Sequence, residues 1–162
     1  MESCLLTNID QSGTTMTDKQ DQHRPATPYE LLGGEEGVRR LAEVFYDVMD
    51  ELPEAQPIRR MHAACLDEIK VQLFEYLSGW MGGPPLYAEK YGTVCLTDPH
   101  KPYAIGPDER DQWLHCMEVA LERVGASEEV RTMLRQPMFR VADFIRNREH
   151  SPGSNPNLIA SG

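Results

Sequence analysis

The sequence has no long apolar run, no excess of positive charge and no paired cysteine motif, and each absence closes off a class of function. Nothing approaches the roughly 18 uninterrupted apolar residues of a membrane-spanning helix, so no membrane partner is expected. Lysine and arginine number 16 against 26 aspartates and glutamates, a formal net charge of −10. No basic stripe is available to neutralise phosphates, which excludes nucleic acid as a partner. The four cysteines, Cys4, Cys65, Cys95 and Cys116, are widely scattered. Without a CxxC pair there is no zinc knuckle, no thioredoxin-like redox pair and no thioether anchor for a cofactor. The thiols read as reduced and structurally incidental. The first residues show neither the basic start nor the apolar stretch of a secretory signal, so the expected compartment is the cytoplasm. No repeat, no alternating strand pattern and no flavin or nicotinamide motif occurs.

What is present suits one soluble domain: 162 residues, of which 40% are hydrophobic. Residues 1–26 are polar and aperiodic and are expected to form a disordered N-terminal extension, and residues 150–162 a disordered C-terminal tail. The folded domain is placed at 27–149.

Every convincing segment between the tails has helical period, so the fold class is all-α. Thr27-Pro28-Tyr29-Glu30 is a capping box with proline at the first helical position, and its short helix should stop at Gly33-Gly34. Val38, Leu41, Ala42, Phe45, Val48, Met49 and Leu52 form one apolar face. Pro53 and Pro57 impose a compact corner over 53–63. Leu66, Ile69, Leu73, Tyr76 (or Leu77) and Trp80 form the next stripe, closed by Gly82-Gly83-Pro84-Pro85. Residues 86–101 read as a short helix followed by irregular chain. Gly106-Pro107-Asp108 starts a helix carrying Trp113, Leu114, Met117, Ala120, Leu121 and Val124 inward. Ser127 caps the last helix, with Val130, Met133, Leu134, Met138, Val141, Ala142 and Ile145 inward and an interruption expected at Pro137.

Short helices broken by glycine pairs make a poor regular bundle, and a flat apolar ligand would help pack the loop-like middle of the chain. Of the five histidines, His23 and His150 lie in the tails, and His115 sits about 200° around its helix from Trp113. That leaves His62 and His100, and on residue type alone a lone loop histidine is usually a surface residue and only sometimes a ligand. Tyr46 and Trp113 lie on or beside apolar stripes and carry donors that want partners when buried. The residues by themselves reach a small helical domain with a candidate pocket.

The run His100-Lys-Pro-Tyr-Ala-Ile-Gly-Pro-Asp-Glu-Arg-Asp-Gln-Trp-Leu-His-Cys-Met117 goes further. It resembles the segment of second-group truncated haemoglobins between the iron-binding histidine and the tryptophan over the ligand. Leu32-Gly33-Gly34 and Trp80-Met81-Gly82-Gly83-Pro84 resemble the family's two glycine motifs, and Val44-Phe45-Tyr46 its tyrosine-bearing helix. The similarity spans residues 28 to about 147. It implies a truncated globin, two helices over two around a non-covalent haem b, with His100 as the iron ligand. On the opposite face it implies Tyr46 and Trp113 as donors to the bound ligand, His62 as a third donor, and Ile69 and Leu73 as pocket-facing residues. Asp98 and Pro99 replace the basic residues expected before the histidine, so propionate contacts would fall to Lys90 or Lys101.

The resemblance implies binding of dioxygen, carbon monoxide and nitric oxide. The readings it allows are oxygen storage, delivery or sensing, and nitric oxide dioxygenation or a peroxidase-like reaction fed by a separate reductase. A haem-free helical interaction domain is the reading outside that class.

Overall fold

In the computed structural model, residues 24–153 are described, and among them every regular element is helical. The elements are α1 (Pro28–Leu31), α2 (Gly34–Glu51), a 3₁₀ turn (Pro53–Ala55), α3 (Gln56–Arg59), α4 (Asp67–Trp80), α5 (Leu86–Tyr91), α6 (Thr97–His100), α7 (Pro107–Arg123) and α8 (Glu128–Ile145). Residues 1–23, with Cys4 and His23, and residues 154–162 lie outside the described residues. No helix among the described residues is long and apolar enough to cross a membrane.

The caps form where their residue types demand. The Glu30 amide donates to Thr27 Oγ1 at 3.2 Å while the Thr27 amide donates to Glu30 Oε2 at 2.8 Å, closing the capping box of α1. The Gly106 amide donates to Glu109 Oε2 at 2.9 Å ahead of α7, and the Val130 amide to Ser127 Oγ at 3.3 Å in the first turn of α8. Helix α8 runs through Pro137 as one element.

Helix α2 packs on both α4 and α7, and α7 packs on α8. On α2 the apolar face is buried as its spacing requires: Val38, Leu41, Ala42, Phe45, Val48 and Met49 have no exposed surface. On α8, Val130, Leu134, Met138 and Ala142 are buried, but Met133 is exposed, because the stripe drifts around the helix beyond what α7 covers.

The second glycine motif is a packing device. The Tyr29 amide donates to the Met81 carbonyl at 3.0 Å, and the Tyr29 ring lies so close to Gly83 that a Cβ there would stand 2.4 Å from it. Gly82 has φ +93°. Together they seat α1 against the end of α4, while buried Ser78 donates to the Pro84 carbonyl at 2.8 Å and holds the turn.

At the other end, residues 147–151 lie against the start of α7 and the segment before it. The Asn147 and Arg148 amides donate to the Ile105 carbonyl at 2.9 and 3.0 Å. Ser151 is buried and its Oγ accepts from the Asp108 amide at 2.8 Å. Ser151 is the part of the expected tail that folds back against the start of α7, because Gly106 offers backbone with no side chain in the way.

Candidate functional site

The segment expected to be irregular after α5 contains a further helical turn, α6, and His100 is its last residue. Pro99 and the run's shortness hid it, since four residues carry no periodicity. Half-buried His100 places Nδ1 2.5 Å from the carbonyl oxygen of Leu96, one turn back. A carbonyl oxygen can only accept, so Nδ1 carries the proton and Nε2 keeps its lone pair. An imidazole oriented this way by a backbone carbonyl is arranged as a metal ligand.

His62 repeats the arrangement in the corner after α3. Its Nδ1–H donates to the Ile58 carbonyl at 2.9 Å. Burial lowers the His62 pKa, as do the charges of Arg59 and His100, against an upward pull from the Ile58 bond. Neutral His62, with Nδ1–H committed to Ile58, presents an Nε2 lone pair. With that bond in place, Nε2 donates once a second proton is bound.

Tyr46 sits beside it, and Trp113 is linked to Tyr46 through Phe45. The Tyr46 ring meets His62 edge-on with centroids 5.5 Å apart, and Phe45 packs against Tyr46 at 4.9 Å and Trp113 at 5.1 Å. Tyr46 is buried, which pushes its phenol pKa far up, so the hydroxyl stays a donor at any ordinary pH. Neither the Tyr46 hydroxyl nor the Trp113 indole N–H has a hydrogen-bond partner among the described residues. Both are donors in search of an acceptor.

Ile69 and Leu73 lie one turn apart on α4 and are half-buried. In the expected stripe, Leu66, Ile69, Leu73, Tyr76 and Trp80 are half-buried and Leu77, the alternative to Tyr76, is buried, together with Phe74 and Ser78. The two sets lie roughly 100° apart around the helix. Helix α4 therefore has two apolar faces, one against the core and one incompletely covered by protein. Val94, Tyr103 and Phe144, on the segments flanking α6 and on α8, are exposed as well. Incompletely covered apolar surface, a histidine presenting Nε2 and a pair of unpaired donors fit a flat apolar group that carries a metal.

The lysines considered for propionates are already paired. Lys90 Nζ lies 2.8 Å from Glu75 and Lys101 Nζ 2.5 Å from Asp98. The Lys101 ammonium and, to a lesser degree, the Cys95 thiol hold the Asp98 carboxyl below its usual range. Cys65, Cys95 and Cys116 are free thiols, and burial pushes the Cys116 thiol up to about 11, which makes it unreactive.

Sequence reasoning did not find Asn147. Its side chain donates to the carbonyls of His100 (3.2 Å) and Tyr103 (2.8 Å) and accepts from the Ile105 amide (3.0 Å). These partners are backbone atoms more than 40 residues away in the chain, a relationship no local pattern encodes.

The bacterial-like globin family matches residues 27–147. The chain is similar to a group 2 truncated haemoglobin of Bacillus subtilis, 36% identical over 107 residues, covering 66% of this chain and 78% of that protein. It is similar to the solved group II 2-on-2 haemoglobin of the plant pathogen Agrobacterium tumefaciens, with a TM-score of 0.74, 38% identity, and 79% of this chain and 99% of that one covered. It is also similar to a solved truncated oxygen-avid haemoglobin of Bacillus subtilis, with a TM-score of 0.67, 33% identity, and 75% of this chain and 100% of that one covered.

Proposed function

The chain belongs to the group II truncated haemoglobins of the bacterial-like globin family, and from that premise we propose that His100 binds the iron of a non-covalent haem b whose other face takes dioxygen, carbon monoxide or nitric oxide. When bound, the haem supplies an iron centre for diatomic ligands. The observation that carries the reading is the commitment of His100 Nδ1–H to the Leu96 carbonyl, which leaves Nε2 as the ligating atom.

The chain's own residues then divide the work. Leu96 fixes the tautomer and plane of His100. Tyr46 and Trp113 aim O–H and N–H donors at the ligand, and each is worth roughly 1.5–3 kcal/mol where the acceptor carries charge. Ile69 and Leu73 supply an apolar wall that excludes water and adds no hydrogen bond. Neutral His62 contributes shape and a lone pair until it is protonated.

Strong donors slow ligand release, which favours chemistry on a held ligand over delivery. Conversion of nitric oxide to nitrate by the oxygen-loaded protein, with electrons from a separate reductase, is the enzymatic reading favoured by two donors without protein partners. The oxygen avidity named for the solved Bacillus subtilis relative supports retention. The test mixes the oxygen-loaded protein with nitric oxide in a stopped-flow instrument and measures oxygen release separately. Rapid stoichiometric nitrate with slow release supports the enzyme, whereas rapid release and slow reaction support a carrier.

A further inference from the structure

Helix α6 is a single turn, too short to hold its own shape, since one hydrogen-bonded turn fixes more dihedral angles than it stabilises. Within the segment, the Thr97 and Asp98 carbonyls accept from the Lys101 amide and the His100 carbonyl from the Tyr103 amide, bonds as local as the turn itself. The loop 101–106 that follows has no regular structure before α7 begins. Something outside the segment must therefore fix where the His100 imidazole stands.

We propose that Asn147 is the positioning residue for His100, anchoring the C-terminal end of α6 to the end of α8. At Arg146 the chain leaves α8 with extended geometry (φ −53°, ψ 131°) and turns back over the loop. The carboxamide of Asn147 then uses all of its hydrogen-bonding groups on that loop. One N–H donates to His100 O at 3.2 Å and one to Tyr103 O at 2.8 Å, while Oδ1 accepts from the Ile105 amide at 3.0 Å. The Asn147 and Arg148 amides close on Ile105 O from the same side. Among the described residues, no other side chain from outside residues 95–105 hydrogen-bonds to this segment. Asn147 so acts on the imidazole through the backbone that carries it, touching neither cofactor nor ligand.

The inference rests on the reading that His100 binds iron. Two variants separate the groups involved: Asn147→Ala removes the whole carboxamide, and Asn147→Asp keeps the acceptor for Ile105 but loses both donors. Ser151→Ala, which loses only the bond from the Asp108 amide on the same chain segment, is the control for general loosening. The measurements on the haem-loaded proteins are the iron–histidine stretching band of the reduced form by resonance Raman, and the rate of haem transfer to an excess of haem-scavenging apoprotein. Both Asn147 variants are expected to shift and broaden the band and to speed haem loss about tenfold, the lower end for a residue supporting a metal ligand. Ser151→Ala is expected to lower the melting temperature and leave the band in place. An unmoved band with haem loss within about twofold of the parent in Asn147→Ala, or a band shift equally large in Ser151→Ala, overturns the proposal. The failure of the underlying reading is seen separately: it is the absence of any iron–histidine band in the unaltered protein.

Discussion

His62 and His100 are held alike: each donates its Nδ1–H to the carbonyl of the residue four positions earlier, Ile58 for one and Leu96 for the other. Each thereby presents an Nε2 lone pair. They differ in what surrounds them. His62 stands edge-on to Tyr46, whose hydroxyl has no hydrogen-bond partner among the described residues, whereas His100 ends a short helix whose carbonyl end is tied to Asn147. Under the proposed reading, His100 takes the iron and the Tyr46 cluster faces the ligand.

Because Tyr46 and Trp113 carry the donors, removing either should loosen the ligand. Tyr46→Phe and Trp113→Phe are each expected to keep haem and to speed oxygen dissociation about ten- to a hundredfold, the equivalent of roughly 1.5–3 kcal/mol. Stopped-flow displacement of oxygen by carbon monoxide measures it. An unchanged rate in either variant would remove that residue from its role.

Neutral His62 offers no proton to a ligand, so His62→Leu at pH 7.5 should alter the oxygen dissociation rate far less than either aromatic variant, by less than about threefold. A rate increase matching that of Tyr46→Phe would mean that Nε2 carries the proton and the Ile58 bond is broken in solution.

The lowered pKa of His62 also sets a pH dependence of stability. Below the ordinary imidazole value of 6.5, the unfolded chain takes up a proton that the folded chain resists. The contribution of neutral His62 is thus intact above that value and is lost as pH falls through the lowered folded value. Melting temperatures recorded from pH 7 down to pH 5 should fall less steeply in His62→Gln than in the parent. Parallel curves would show that His62 does not titrate differently in the two states.

Gly83→Ala places a methyl group 2.4 Å from the Tyr29 ring and should destabilise the fold by about 1–3 kcal/mol. Tyr29→Ala, which opens that space, should rescue part of the loss when combined with it, a coupling that a double-mutant cycle by urea unfolding reads directly. Strict additivity would mean that Tyr29 leaves Gly83 in solution.

Much of this was legible in the sequence because its signals are local. The Thr27–Glu30 box, the Ser127 cap and the α2 face from Val38 to Met49 depend on residues within a turn or two of one another. On α4, periodicity found an apolar stripe and left Tyr76 or Leu77 open; Leu77 is the buried one, and Phe74, outside the stripe, is buried with it. Helix α6 was hidden because four residues containing a proline show no period. Asn147 was hidden because its partners are carbonyls and an amide, groups every residue carries. The tautomers of His62 and His100 likewise follow only from which carbonyl lies within reach.

The measurement that bears most directly on the central assignment is the visible absorption spectrum of the purified protein and of His100→Ala, ferric, then reduced, then with carbon monoxide. With iron held by His100, the parent should show a Soret band that shifts sharply on adding carbon monoxide, and the variant should retain no stable haem. A parent that stays colourless after haem is added, or a variant whose reduced and carbon monoxide spectra match the parent's, would contradict it.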